Sequence, residues 1–150
     1  MVWEWEGDGG KWNKYAPEHS QVVTDALTRG DKDVTLKVSS SIKMKVRFSA
    51  MTQMNVSTGW QRDVRCSPTG ATKGREGVWE WQDENGTWNG YSSPTQRLLE
   101  ACHLCGVEKT SIEVAGTPYT VDLKAMQQVN EESGATRKVQ RADISSLPGG

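Results

Sequence analysis

The chain contains two copies of one sequence pattern, and this repetition constrains its fold more than any other feature. The segment Val2-Trp3-Glu4-Trp5 returns as Val78-Trp79-Glu80-Trp81, a shift of 76 residues. The same shift relates a glycine, a tryptophan and a tyrosine in the two copies: Gly10, Trp12 and Tyr15 return as Gly86, Trp88 and Tyr91. A repeat on this scale predicts two copies of one small domain.

The repeat predicts a first domain at residues 1–67 and a second at residues 77–142. Residues 68–76 are rich in turn-forming residue types and predict a short linker, and residues 143–150 predict a tail. Each copy is near the lower size limit for a domain that depends on a single apolar core. Six of the seven tryptophans fall in the repeated signature and would supply much of that core.

Alternation of side chains predicts strands on both sides of a turn at residues 83–86, where Asn85-Gly86 favours positive φ angles. A helix follows, with Ser93 as its N-cap, Pro94 at its first helical position, Gln96 three residues after the cap and Gly106 at its end.

The corresponding helix of the first copy lies between Pro17 and Gly30. We expect four of its side chains to face inward: Val22, Val23, Ala26 and Leu27.

Further alternating segments follow each helix, at residues 110–114, 119–123 and 136–141 in the second copy. The repeat shift then becomes 75, and this one-residue slip falls in a predicted hairpin turn at residues 115–118, equivalent to residues 39–41 of the first copy, where insertions are tolerated. The fold class predicted is α+β. Each of the two units is expected to be a curved, mostly antiparallel half-barrel sheet with one packed helix.

Composition excludes several classes of protein. Three cysteines do not make a disulfide framework and favour a reducing compartment, here cytoplasmic and/or nuclear. No signal peptide or membrane-spanning run is present, so no membrane partner is expected. The net charge of −1 argues against general nucleic-acid binding through a basic surface.

Catalysis is not expected. The two histidines, His19 and His103, do not occupy equivalent positions in the repeat. The segment Cys102-His103-Leu104-Cys105 resembles a metal-binding spacing, but a zinc site needs four ligands and no second pair exists. We therefore predict no metal, no cofactor and no enzymatic activity.

The repeated polar residues carry the functional argument. Gln53 and Arg62 are nine residues apart, as are Gln128 and Arg137. One interpretation is structural, with the glutamine bonded to a strand edge and the arginine paired with a carboxylate. The other is a ligand site, because an amide can read a purine edge and a guanidinium grips phosphate in a bidentate manner.

The tryptophans are open to the same two interpretations. In a strand written Trp-Glu-Trp both indoles point to one face. Trp3 and Trp79 are predicted to be core residues. The remaining four flank the hairpin and could form an aromatic wall on which a base stacks: Trp5, Trp12, Trp81 and Trp88.

These residues resemble the WWE domain family. The matching pattern is Trp-x-Trp, a glycine-containing turn, a second Trp and Tyr, one helix, Tyr-x-x-Asp-Leu-x-x-Met-x-Gln and a basic strand led by glycine. Two such domains in tandem are similar to the N-terminal module of Deltex-type ubiquitin ligases.

The resemblance implies recognition of ADP-ribose units, either the iso-ADP-ribose junction of poly(ADP-ribose) or terminal ADP-ribose. In the second copy the implied ligand-binding residues are Trp81, Trp88, Tyr119, Gln128 and Arg137. In the first copy they are Trp5, Trp12, Gln53 and Arg62.

The first copy departs from the family pattern. Met44 replaces the tyrosine, and Arg47-Phe48 replaces Asp-Leu. The second copy is therefore expected to be the better ligand site.

Two functions from different classes remain. The first is a non-catalytic reader of ADP-ribosylated protein that directs an attached ubiquitin ligase. The alternative is a protein-interaction module, since Deltex-type tandems are implicated in binding the ankyrin repeats of Notch-like receptors. A slightly basic first half and a slightly acidic second half fit a charge-complementary interface.

Overall fold

The computed structural model describes residues 2–67 and 77–143, so the predicted linker and the tail beyond residue 143 lie outside the described residues. Each half is a six-stranded antiparallel sheet with one helix, which confirms the predicted α+β class. The strand order is β2-β1-β6-β5-β4-β3 in the first domain and β8-β7-β12-β11-β10-β9 in the second.

The strands and α-helices occur in the same order in both domains. In the first they are β1 (Val2–Glu6), β2 (Trp12–Lys14), α1 (Pro17–Arg29), β3 (Asp33–Lys37), β4 (Lys43–Arg47), β5 (Thr52–Asn55) and β6 (Gln61–Ser67). In the second they are β7 (Gly77–Gln82), β8 (Trp88–Gly90), α2 (Ser93–Cys105), β9 (Lys109–Val114), β10 (Thr117–Asp122), β11 (Gln127–Asn130) and β12 (Thr136–Asp143).

Trp3 and Trp79 are fully buried between helix and sheet, as the sequence predicts. An indole N–H that is removed from water needs an acceptor. Trp3 Nε1 donates to Thr24 Oγ1 at 2.9 Å, and Trp79 Nε1 donates to Glu100 Oε1 at 3.0 Å. We call the helix-covered face of each sheet, to which these indoles point, the inner face.

The helix boundaries follow the predicted stop and start residues with one correction. Gly30 and Gly106 end the helices with φ angles of 83° and 74°, in the left-handed region that glycine adopts without steric cost. Ser92 is the N-cap of α2, one residue before the predicted Ser93. The Gln96 side chain does not form a capping box but bonds the backbone N and O of Trp79, both at 2.6 Å.

Two further local predictions are wrong. Val22 is 41 % exposed, while its repeat equivalent Leu98 is buried in a helix that packs on β6 of the other domain. In the turn at residues 83–86 only Gly86 adopts a positive φ. Asp83 stabilises this turn, since its carboxylate accepts from the backbone N of Asn85 and of Thr87.

The one-residue slip of the repeat lies in the hairpin after the third strand, as predicted. The second domain joins β9 to β10 through Ala115 and Gly116, both with positive φ, so Thr117 and Pro118 belong to β10 and not to the turn. The first domain uses a longer connection at residues 38–42. The slip therefore changes a hairpin tip and leaves the strand pairing intact.

The two domains pack against each other through α2 and β6. Arg97 of α2 donates from Nε to the backbone O of Val64 at 3.1 Å and from Nη2 to that of Met51 at 3.4 Å. Its guanidinium also lies 3.5 Å from Asp63 Oδ1. Among the described residues, no helix is long and apolar enough to cross a membrane.

Candidate ligand-binding site

The nine-residue spacing of glutamine and arginine is the spacing of a cross-strand pair. Gln53 on β5 lies opposite Arg62 on β6, and Gln128 on β11 lies opposite Arg137 on β12. Directly opposed residues of antiparallel strands project from the same face of the sheet. Both domains therefore present an amide beside a guanidinium at the same place on the inner face.

A tyrosine that the sequence analysis did not assign to the site orients each amide. Tyr91 donates its hydroxyl hydrogen to Gln128 Oε1 at 2.7 Å, and Tyr15 donates to Gln53 Oε1 in the first domain. Burial raises the pKa of both tyrosines, so each phenol keeps the proton that it donates. With Oε1 occupied, the amide nitrogen points away from the tyrosine with two N–H donors.

Gln53 and Gln128 are only 4 % and 3 % exposed. A buried amide must be hydrogen-bonded to avoid a large desolvation cost. The tyrosine meets this requirement, and neither glutamine is explained by bonding to a strand edge. The signal that could have revealed the partner was present, because Tyr15 and Tyr91 are themselves repeat equivalents.

Each arginine contacts a carboxylate on the loop between the first two strands of its domain. Arg62 Nη2 lies 2.7 Å from Asp8 Oδ1, and Arg137 Nη2 lies 3.8 Å from Glu84 Oε2. Asp8 and Glu84 are repeat equivalents that the sequence analysis missed. Their side chains are 93 % and 76 % exposed, and such ion pairs contribute little to stability. A phosphate could replace either carboxylate at small cost.

Trp81 and Tyr119 project from the same face as the Gln128–Arg137 pair. Trp81 lies opposite Val139, which is two residues along β12 from Arg137. Tyr119 lies opposite Asn130, two residues along β11 from Gln128. Both aromatic side chains are partly buried. The second domain thus brings four of its five predicted ligand-binding residues to one face of the sheet.

Trp12 and Trp88 are not brought to that face. Trp12 lies opposite Glu6, and Trp88 lies opposite Gln82, so both project from the outer face of their sheets. The guanidinium carbon of Arg65 lies 4.2 Å from the centre of the Trp12 ring, a cation–π contact. Trp12 also lines a cleft of about 340 Å³ between the two domains. The interpretation that the tryptophans on both sides of the hairpin form one aromatic wall is therefore wrong.

The first domain has the same glutamine–arginine pair, but different side chains lie beside it. Trp5 projects from the inner face opposite Val64, as Trp81 does in the second domain. Met44 takes the position of Tyr119 and lies opposite Asn55. The first domain therefore retains Trp5, Gln53 and Arg62 of its predicted ligand-binding set on one face, without an aromatic residue on β4.

No group of histidine, cysteine, aspartate or glutamate residues that could hold a metal ion occurs within residues 2–67 and 77–143. Cys102 is fully buried. Burial raises the pKa of its thiol to about 12. A thiol that stays protonated is a poor metal ligand and a poor nucleophile.

The fold and the paired polar residues define a class of protein, a tandem of small α+β domains that each carry a glutamine–arginine pair on the inner face of a curled sheet. A family model described as the WWE domain matches residues 1–66 and 77–141. The chain belongs to the WWE domain family, as the sequence pattern predicts.

The chain is similar to ubiquitin ligases of the Deltex type. It is 32 % identical to E3 ubiquitin-protein ligase DTX4 of Mus musculus, over 94 % of this chain and 24 % of that protein. It is 25 % identical to DTX1 of Xenopus laevis, over 94 % and 23 %, and 23 % identical to DTX1 of Homo sapiens, over 89 % and 22 %. The chain thus spans about a quarter of the length of these relatives.

Proposed function

We propose that this tandem is a non-catalytic reader of ADP-ribose units, and that the second domain is a ligand-binding site. WWE membership supports a recognition role, either toward ADP-ribose or toward proteins. The observation that carries the proposal is the repeated cross-strand pair of an oriented amide and a loosely paired guanidinium. An ADP-ribose unit offers complementary chemistry, an adenine edge with acceptor nitrogens and a diphosphate.

Each residue of the second domain has a defined part in this proposal. Gln128, held by Tyr91, directs its N–H donors to the adenine edge. Arg137 releases Glu84 and grips the phosphates with charge-assisted hydrogen bonds. Trp81 and Tyr119 provide flat apolar surface beside the amide. Affinity then decreases with salt, because the charge contacts are to phosphate.

Arg137→Ala tests the proposal. We expect the affinity for iso-ADP-ribose or ADP-ribose at the second domain to fall by about tenfold or more, the loss typical of a charge-assisted hydrogen bond. Stability should change little, because the ion pair of Arg137 with Glu84 is exposed. Isothermal titration calorimetry measures the affinity, and a thermal melt checks the fold.

Lys138→Ala is the matched control. Lys138 lies next to Arg137 on the same strand, opposite Gln127, and therefore projects from the outer face. The substitution Lys138→Ala removes the same charge from the same strand without changing the proposed site. If both variants lose affinity equally, the loss reflects the net charge of the domain and not a contact of Arg137. If Arg137→Ala keeps full affinity, the assignment of Arg137 to the phosphates is refuted.

We further propose that the module directs an attached ubiquitin ligase to ADP-ribosylated protein, because DTX4 and DTX1, to which the chain is similar, are ubiquitin ligases. A cytoplasmic or nuclear location would fit this role. The direct test is transfer of ubiquitin by the full-length ligase to an ADP-ribosylated substrate. Transfer should weaken when Arg137→Ala is introduced.

A protein-interaction role is the second candidate. Arg97 and the packing of α2 on β6 hold the two domains together, so that they present one composite surface. A repeat protein such as the ankyrin domain of a Notch-like receptor could bind such a surface. Binding that persists in Arg62→Ala/Arg137→Ala and ignores adenine nucleotides would support this alternative.

A further inference from the structure

Trp60 is the most exposed large apolar side chain among the described residues, at 71 %. It belongs to the first domain and lies outside the repeated tryptophan signature; its repeat equivalent is Ala135. An exposed tryptophan of this size contributes little to a core and is more typical of a contact surface.

Hydrogen bonds fix the position of Trp60 in the sheet. The backbone N of Asn55 donates to the O of Trp60 at 2.9 Å, and the N of Gly59 donates to the O of Asn55 at 2.8 Å. This is a bulge in which Gly59, with a φ of 78°, is the extra residue and Trp60 is the residue opposite Asn55. Arg62 follows two residues later, so alternation places Trp60 on the inner face beside it.

The second domain has the same bulge. Asn130 N donates to Ala135 O at 2.8 Å, and Gly134 N donates to Asn130 O at 2.7 Å. Asn130 in turn lies opposite Tyr119, as Asn55 lies opposite Met44. The row Tyr119, Asn130, Ala135 of the second domain therefore corresponds to the row Met44, Asn55, Trp60 of the first.

Each row contains one aromatic residue, but at opposite ends. The second domain carries it on β10, at Tyr119, and the first carries it next to β6, at Trp60. In both domains the row adjoins the glutamine–arginine pair on the inner face. Compared with the second domain, the first domain therefore carries its aromatic residue on the other side of this position.

The turn around Trp60 holds its backbone in place. Asn55 Oδ1 accepts from the backbone N of Ser57 at 2.9 Å and of Thr58 at 3.1 Å. Thr58 Oγ1 accepts from the backbone N of Trp60 at 3.3 Å. The indole is thus presented on an ordered turn while most of its surface is open to a ligand.

We propose that Trp60 provides in the first domain the stacking surface that Tyr119 provides in the second, so that both domains bind an adenine ring carrying a diphosphate. Gln53 then reads the ring edge, and Arg62, two residues from Trp60, takes the phosphates in exchange for Asp8. This inference rests on the proposed function and extends it to the first domain. Binding of two ligands per chain follows from it.

The experiment is calorimetric titration of the chain with iso-ADP-ribose and, separately, with ADP-ribose. The wild-type chain should bind two ligands, and Arg137→Ala should leave one site of high affinity. Adding Trp60→Ala to Arg137→Ala should weaken the remaining site by about tenfold or more, as expected when the stacking partner of a base is removed.

Two variants control the result. Val56→Ala removes another exposed apolar side chain of the same turn; Val56 N donates to Lys43 O, so Val56 continues the outer face and its removal should not affect binding. Met44→Tyr in the Trp60→Ala background rebuilds the arrangement of the second domain. It should restore the affinity of the first site.

The outcomes separate the two proposals. One ligand per chain in the wild type, lost in Arg137→Ala, overturns the inference and leaves the proposed function intact. Two ligands per chain with no effect of Trp60→Ala also overturns the part assigned to Trp60. No binding of either ligand to the wild type overturns the proposed function and the inference together.

Discussion

At the scale of the residue, the decisive feature is the tyrosine hydroxyl that, in each domain, donates a hydrogen bond to a buried glutamine amide. Gln128 could not remain almost fully buried without a partner for its oxygen, and Tyr91 supplies it at 2.7 Å. The same bond fixes which end of the amide is free to donate. One hydrogen bond thus contributes to stability and, under the proposed function, to the polarity of the site.

Tyr91→Phe tests this dual part. The change removes the donor and leaves Gln128 Oε1 buried without it, which should destabilise the second domain by about 1–3 kcal/mol. Urea unfolding followed by tryptophan fluorescence measures the loss.

Tyr15→Phe is the matched change in the first domain, and we expect a loss of similar size, since Tyr15 donates to Gln53 in the same way. An unchanged unfolding midpoint in both variants would show that the hydroxyls contribute nothing to the fold.

At the scale of the element, the side chains that connect the helix to the sheet around the buried tryptophan differ between the two domains. Glu100 of α2 accepts from the Trp79 indole at 3.0 Å and from Arg141 Nε and Nη2 of β12 at 2.8 and 2.7 Å. The equivalents of Glu100 and Arg141 in the first domain are Thr24 and Cys66. The second domain therefore has a buried, hydrogen-bonded ion pair where the first domain has a hydroxyl and a thiol. In both domains the buried tryptophan lies between the helix and the sheet.

The Glu100 pair predicts a pH dependence. Burial acts to raise the pKa of this carboxyl, but the hydrogen bonds from Arg141 and Trp79 outweigh it, and the folded-state pKa is lowered. A lowered pKa gives a stabilisation that is present above the unfolded-state pKa of about 4.3 and is lost as the pH falls through the folded value. Glu100→Gln should cost about 3 kcal/mol near neutral pH, because it breaks a largely buried ion pair by removing one of its two charges.

Unfolding in urea at neutral and at acidic pH checks this expectation. The difference between wild type and Glu100→Gln should shrink as the pH falls through the folded-state pKa of Glu100. Glu113→Gln, the same change at an exposed glutamate on β9, is the matched control. A constant difference at all pH values would contradict the charge-based account.

At the scale of the whole molecule, one arginine helps to decide how the domains are arranged. Arg97 is 18 % exposed, and its guanidinium contacts two backbone oxygens and a carboxylate of the first domain. The equivalent residue of α1 is Gln21, which bonds Asp25 of its own helix. The two copies therefore differ in the helix surface that meets another domain.

Arg97→Ala should weaken the coupling between the domains by about 2–3 kcal/mol, the combined contribution of a few hydrogen bonds to a charged donor. We expect the wild-type chain to unfold in one transition, because the buried side chains of both domains form one apolar cluster, and the Arg97→Ala chain to show a broader or divided transition. Differential scanning calorimetry detects the change. Gln21→Ala should leave the transition as it is, and a sharp, unshifted transition in Arg97→Ala would contradict the assigned role.

Much of the local structure could be predicted from the sequence. The positions of Pro17 and Gly30 define one helix, and the buried Trp3 and Trp79 follow from period-two alternation, because steric and hydrophobic preferences act over a few residues. The Gln128–Arg137 spacing indicated a shared site. The strand that holds Gln128 was not predicted as such, since its four residues show no clear alternation.

By itself, the sequence determined that the chain is a pair of small α+β domains, that Trp3 and Trp79 form their cores, and that a glutamine and an arginine recur together. Only the tertiary structure decided that Trp12 and Trp88 face away from Trp5 and Trp81, that Trp60 lies in a bulge opposite Asn55, and that Arg97 joins the domains. The physical reason is the range of the interactions. Alternation and capping act within an element, whereas strand register and domain packing depend on contacts between residues far apart in the chain.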